Sequence, residues 1–136
     1  MKVIGFNFNK ISVEKKSDKF ENMKIHNDIS IASVKQIKSQ SPFQTKDDIL
    51  ELGFNYDLTY SPDIAKISLS GTMILMVEQK VTKEFMKRWK NKKVPEEYKI
   101  LIFNVILKKS NLRAVQLEDE LNIPIHIPLP TARDSK

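Results

Sequence analysis

The chain has 136 residues, a formal net charge of +6 and a hydrophobic content of 40%, which fits a single globular domain spanning residues 1–136. The absence of cysteine excludes disulfides and cysteine zinc sites, and with three glycines the sequence contains no GxGxxG or GxxxxGKS/T phosphate-binding loop. The first residues lack a signal-peptide pattern, and no apolar run approaches the ~18 residues that span a bilayer. We therefore expect a cytoplasmic protein that does not insert into membranes.

Four stretches of the chain carry the apolar and β-branched patterns that predict β-strands. They cover residues 3–15, 29–38, 49–60 and 64–78. In the first stretch the apolar residues change parity after Phe8, which predicts a β-bulge near Asn9–Lys10. Residues 16–28 are polar and are expected to form a turn, and SPD (61–63) is expected to form another.

The periodicity after the fourth strand is that of helices. Thr82 is the predicted N-cap of a short helix from Lys83 to about Asn91. Pro95, in a first helical position, predicts a second and longer helix that ends near Leu121. The expected fold is α+β: a four-stranded antiparallel sheet, then a short and a long helix, with an extended proline-rich ribbon at the C-terminus.

The first half of the long helix, YKILIFNVIL (98–107), is apolar on nearly every side. Such a helix must be covered all round, and a four-stranded sheet covers only one side. A second copy of the chain would cover the rest in a dimer or tetramer; the alternative is that the C-terminal ribbon folds back over this helix. The predicted oligomer interface consists of Ile100, Ile102, Phe103, Val105 and Ile106.

No residue pattern in the sequence indicates catalysis. His26 is expected in a polar turn and His126 in the ribbon, and neither belongs to a His-x-x-x-His or Glu-x-x-His pair. There is no G-x-S-x-G string, and the acidic runs at 47–48, 96–97 and 118–120 are assigned to a helix N-terminus or to solvated faces. We therefore expect no enzymatic activity, no cofactor and no metal.

Positive charge is concentrated in KEFMKRWKNKKVP (83–95). Basic side chains around an aromatic ring can bind phosphates and stack a base, which predicts contact with RNA or a ribosome. The alternative is a solvated helix whose Phe85, Met86 and Trp89 pack inward. The basic patch that would contact nucleic acid consists of Lys87, Arg88, Lys90, Lys92 and Lys93.

Near the C-terminus, LNIPIHIPLP (121–130) cannot form a helix, because its three prolines favour extended backbone. The first strand ends in ISVEK (11–15). Together with four antiparallel strands and a long helix, these two motifs resemble the SecB export-chaperone family. Members of that family are typically acidic, so the charge of +6 resembles a divergent, archaeal-type member and leaves an export motor as partner open.

The resemblance implies a homo-oligomer without active site or cofactor that binds unfolded polypeptides in apolar grooves. The expected function is therefore that of an ATP-independent holdase, with RNA or ribosome binding as the alternative. Aromatic residues and methionine suit promiscuous contacts because they supply area and adapt in shape, although each could instead belong to the core. The predicted client-binding residues are Phe43, Phe54, Tyr56, Tyr60, Ile74, Met76, Ile123, Ile125 and Ile127.

Overall fold

The computed structural model describes residues 1–38 and 46–134. The predicted fold class is confirmed, since four antiparallel strands precede a short and a long helix. The elements are β1 (Lys2–Lys15), β2 (Lys24–Ile37), β3 (Asp48–Ser61), β4 (Ala65–Val77), α1 (Gln79–Trp89) and α2 (Glu96–Leu121).

The strand order in the sheet is β1-β4-β3-β2, so β1 and β2 are its edges. In the central strands, the even-numbered side chains of β3 from Leu50 to Tyr60 and the odd-numbered side chains of β4 are buried. These side chains share one face, because residues such as Leu52 and Met73 lie opposite each other in the register. The two helices pack on this face, and we call the other face of the sheet the open face.

The buried side chains form two neighbouring clusters along the helix-covered face. The first joins the sheet to α1 and the start of α2, and the second joins it to the later turns of α2. The first includes Leu52, Met73, Phe85, Ile102 and Ile106, and the second includes Tyr56, Tyr60, Leu69, Ala114 and Leu117.

β1 and β4 approach each other closely at Gly71. The register passes from Phe8 opposite Gly71 to Lys10 opposite Ser70, so Asn9 is an extra residue and the predicted bulge is confirmed. A Cβ on Gly71 would collide with the backbone carbonyl of Asn7, which explains why the residue facing the bulge has no side chain. The sequence did not predict a second shift in register, between Val3 and Gly5.

The N-terminal part of β2 corrects the sequence prediction. The strand begins at Lys24, whereas residues up to 28 were expected to form a turn and to contain His26. Residues 24–28 pair with the end of β3, and their side chains are exposed. Because no face of this edge segment is buried, it shows no clear alternation of apolar and polar residues.

The start of α1 is a second correction. The helix begins at Gln79 with Glu78 as N-cap, and no side-chain hydrogen bond caps it. Thr82, the predicted N-cap, is a buried residue inside the helix because its turn packs against the sheet with Val81 and Phe85. The second helix ends at Leu121 as predicted, and Asn122 follows it as a left-handed C-cap with φ of 55°.

Candidate functional site

Four of the predicted client-binding residues lie in the core: Phe54, Tyr56, Tyr60 and Ile123. Phe54, Tyr56 and Tyr60 project from β3 onto the helix-covered face and are buried there. Their alternation was correctly predicted, but the covering by helices leaves none of their surface for a client in this conformation. Phe54 stacks on Phe6 of β1, with ring centroids 4.9 Å apart.

The two tyrosines belong to a buried polar anchor made of Tyr56, Tyr60, Asn111, Glu118 and His126. The Glu118 carboxylate accepts hydrogen bonds from the Tyr60 hydroxyl, from the His126 backbone N–H at 2.9 Å and from His126 Nδ1 at 2.7 Å. The Tyr56 hydroxyl donates to Asn111 Oδ1 at 2.6 Å and lies 3.1 Å from His126 Nε2. The side chains of Glu118 and His126 are 0% and 4% exposed.

This arrangement sets the protonation of the two phenols. Burial raises the pKa of Tyr56 well above its ordinary value of 10.0, and the negative charge of Glu118 raises it further. Burial also raises the pKa of Tyr60, and so does its hydrogen bond to Glu118, which only the protonated phenol can donate. Both tyrosines therefore remain neutral hydrogen-bond donors across the physiological pH range.

The sequence prediction places the run 118–120 mostly on the solvated side of the helix; Asp119 and Glu120 are exposed there, but Glu118 is buried. Glu118 follows Ser110 and Ala114 at intervals of four residues along the buried side of α2. That spacing is the signal that could have located it. Its partner His126 could not be found in this way, because no periodicity links a helix to an irregular segment.

The polar anchor fixes the C-terminal ribbon (121–130) against the sheet and the second half of α2. The backbone N–H of Ile123 donates to the Glu118 carbonyl at 2.9 Å, and Lys15 Nζ donates to the Leu121 carbonyl at 3.1 Å. Ile123 is buried, whereas Ile125 is 38% exposed and Ile127 is half-buried. The ribbon thus contacts the later turns of α2, while the exposed apolar side chains in the first half of the helix stay uncovered.

The other two predicted client-binding residues described by the structure, Ile74 and Met76, lie on the open face at one end of β4. Met76 is opposite Ile49, which is opposite Ile37 of β2. These side chains share a face and are half-buried. They form an open-face patch of Ile37, Ile49, Ile74 and Met76. Phe43 lies outside the described residues.

The exposed side of α2 carries a further apolar surface. Ile100 is 73% exposed, Leu101 50% and Leu112 61%. Leu101, Val105 and Leu112 are separated by four and seven residues, which places them on one side of the helix; we call these three residues the α2 stripe. Of the predicted oligomer-interface residues, Ile102 and Ile106 are buried against their own sheet, and Phe103 and Val105 are half-buried.

The basic patch lies at the end of α1 and in the loop that follows. Its five predicted residues are all exposed, Phe85 is buried and Trp89 is half-buried. Met86, which was expected to pack inward, is exposed. Lys92 Nζ lies over the Trp89 ring, 5.1 Å from its centroid. This ammonium group therefore occupies one face of the indole on which a base could stack.

Within residues 1–38 and 46–134, no group of three or more His, Cys, Asp or Glu side chains is placed to hold a metal ion. None of the helices in the same residues is both long and apolar enough to span a membrane.

Comparison with solved structures identifies the same arrangement of strands and helices in a known chaperone. The SecB-like chaperone Rv1957 of Mycobacterium tuberculosis, solved in complex with a ChAD peptide from the Rv1956 HigA1 antitoxin, superposes with a TM-score of 0.53. The match covers 98% of this chain and 91% of that chain, at 9% sequence identity. The chain therefore has the SecB-like fold. The sequence matches no family model and no curated protein.

Proposed function

We propose that this chain is a cytoplasmic, ATP-independent holdase that binds non-native polypeptides and keeps them from aggregating, without catalysing a reaction. The observation that carries the proposal is the exposure of large apolar side chains on a fold shared with a peptide-binding chaperone. Soluble proteins rarely expose contiguous apolar patches without a binding role. Here exposed apolar side chains occur on the C-terminal ribbon and on α2, and half-buried ones form the open-face patch.

The open-face patch and the ribbon are the proposed client-binding surfaces. Ile74 and Met76 remain from the sequence prediction, and Ile37 and Ile49 join them through the register of the sheet. Ile125 is exposed and Ile127 is half-buried, in a segment that is neither helix nor strand, so both side chains can contact a bound polypeptide. Phe54, Tyr56, Tyr60 and Ile123 are not part of this proposal, because the core encloses them.

The α2 stripe is the proposed contact between copies of the chain. A second copy would cover Leu101, Val105 and Leu112 together with Ile100, whereas Ile102 and Ile106 already stabilise the subunit itself. A twofold axis would bring two such stripes together in one self-complementary interface. Pairing through the α2 stripe by itself would give a dimer, and pairing of a second surface between two dimers would give a tetramer.

Suppression of aggregation tests the proposed function. A chemically unfolded client is diluted into buffer at ~0.2 M salt, where long-range charge effects are screened, and light scattering is followed at increasing amounts of this protein. The proposal expects suppression near a stoichiometric ratio of oligomer to client. Unchanged scattering at several-fold excess would contradict it.

Paired variants locate the client-binding surface in the same assay. Ile74→Asp with Met76→Asp places two charges on the open-face patch, and Ile125→Asp places one on the ribbon. The matched control is Thr72→Asp, which adds a charge to the same face of β4 outside the patch. We expect the first two proteins to lose suppression while keeping their circular dichroism spectra; retention of suppression by both would refute these surfaces.

A further inference from the structure

A pocket of about 370 Å³ opens between the edge strand β2, the loop after α1 and the start of α2. Its floor is apolar and consists of Ile31, Val94 and Phe103. Val94 is buried in the first core cluster, and the other two side chains pack partly against it. The floor is therefore a fixed extension of the core, with room for one bulky side chain.

The rim of the pocket is cationic. Lys92, Lys93 and Lys99 line it, and the one carboxylate beside them is that of Glu96. Within the described parts of the chain, these three lysines form no ion pair with an Asp or Glu. The rim thus carries an excess of positive charge that an anionic ligand would neutralise.

The rim lysines are also held in position. Lys92 lies over the Trp89 ring, and Lys99 Nζ lies 5.9 Å from the centroid of Phe103, within cation–π range. The loop itself is closed by backbone hydrogen bonds, from Lys92 N–H to the Trp89 carbonyl at 2.8 Å and from Lys93 N–H to the Arg88 carbonyl at 3.2 Å. Because these lysines are already partly ordered, a ligand that binds them would lose less conformational entropy.

We propose that this pocket binds an acidic peptide segment, with one bulky apolar side chain on the floor and flanking carboxylates beside the three lysines. The inference rests on the proposed function in that it takes polypeptides as the ligands, and it deepens that function by naming the class of segment preferred. A peptide fits better than RNA because the aliphatic and aromatic floor suits a bulky apolar side chain, and because Lys92 occupies one face of Trp89 on which a base could stack. The pocket also adjoins an edge strand, to which an extended peptide can align.

Trp89 provides the readout. It is the only tryptophan of the chain, and Lys92 joins its ring to the rim of the pocket. Three short peptides of equal length are titrated, each with a central phenylalanine, flanked by aspartate, serine or lysine. We expect the aspartate peptide to change Trp89 emission and to bind about tenfold more tightly than the serine peptide, with weakening as salt rises.

The test variant combines Lys92→Gln, Lys93→Gln and Lys99→Gln, and the matched control combines Lys83→Gln, Lys108→Gln and Lys109→Gln. All six lysines are exposed, so both proteins should fold and both lose the same charge. We expect the test variant to bind the aspartate peptide about tenfold more weakly and the control to bind it as the parent does.

Equal binding of all three peptides, or equal weakening in both variants, would overturn the proposal. A single-stranded RNA oligonucleotide that bound more tightly than the aspartate peptide and lost its affinity with Lys87→Gln and Lys90→Gln would overturn it in favour of nucleic acid. Suppression of aggregation by a protein that shows no peptide preference would leave the holdase intact and exclude the pocket. Preference for the aspartate peptide without suppression of aggregation would exclude the holdase and leave the pocket as a peptide-binding site.

Discussion

At the scale of single residues, Glu118 is the side chain whose removal we expect to have the widest effect on the fold. It is a fully buried carboxylate that links β3, α2 and the C-terminal ribbon through its hydrogen bonds to Tyr60 and His126. Removing an acceptor from a buried network leaves its donors unsatisfied. A substitution at this one position should therefore destabilise the packing of β3, of α2 and of the C-terminal ribbon together.

Glu118→Ala should lower the free energy of unfolding by about 3 kcal/mol, because it strands the Tyr60 hydroxyl and the His126 imidazole in the core. Urea denaturation followed by circular dichroism measures the change. Glu120→Ala, at an exposed position of the same helix, is the control and should stay within about 0.5 kcal/mol of the parent. Because alanine has a higher helix propensity than glutamate, an equal loss in both proteins would contradict the role assigned to the anchor.

The raised pKa values of Tyr56 and Tyr60 make stability depend on alkaline pH. In the unfolded chain both phenols ionise near 10.0, whereas in the folded protein they hold their protons to higher pH. Their contribution to stability is thus fully present below pH 10 and is lost as the pH rises above it. We expect denaturant midpoints to fall above pH 10, and to fall less in the variant combining Tyr56→Phe with Tyr60→Phe; identical slopes would contradict the assignment.

At the scale of elements, the pairing of β1 with β4 depends on a glycine. Gly71→Ala would drive its new methyl group into the backbone of Asn7, and backbone cannot move aside cheaply. The expected loss is about 1–3 kcal/mol in the free energy of unfolding. Gly5→Ala is the matched control in β1, because its methyl group would meet only the Ile74 side chain at 3.2 Å. A larger loss at Gly5 than at Gly71 would refute this reading of the bulge.

The sequence predicts the secondary-structure elements that bury one face, and it does not predict those that bury none. β3 and β4 are central strands covered by helices, so burial imposes a strict alternation on residues 50–60 and 65–77. Residues 24–28 lie at an exposed edge and carry no such pattern. The start of α1 was missed for a related reason, since Glu78 makes no side-chain cap and so leaves no capping signal.

The sequence predicts only part of the candidate site. Alternation placed Phe54, Tyr56 and Tyr60 on one face of β3, but periodicity does not tell whether helices or solvent cover that face. The polar anchor joins residues from β3, α2 and the ribbon, and such contacts depend on tertiary packing. The open-face patch, in contrast, was partly foreseen, because Ile74 and Met76 break the polar run that precedes them in β4.

At the scale of the whole molecule, the α2 stripe leads to a prediction about assembly. Leu101→Glu with Leu112→Glu should convert the proposed oligomer to monomers without lowering the stability of the subunit, because both side chains are at least half exposed in the single chain. Sedimentation velocity measures the mass. Lys109→Glu, also exposed on α2, controls for the change in charge. An unaltered sedimentation coefficient in the double variant would place the interface elsewhere.

The strand order has a consequence for synthesis of the chain. β1 is made first, yet its one partner strand in the described part of the chain is β4, whose residues leave the ribosome after those of β2 and β3. At roughly 5–20 residues per second, an apolar strand bearing Phe6 and Phe8 waits for seconds without a partner. β2 and β3 can close as a hairpin in the meantime, but the sheet cannot be completed until residue 77 has emerged. During that interval the nascent chain exposes apolar surface, and under the function proposed above it would itself be a client of mature copies already present.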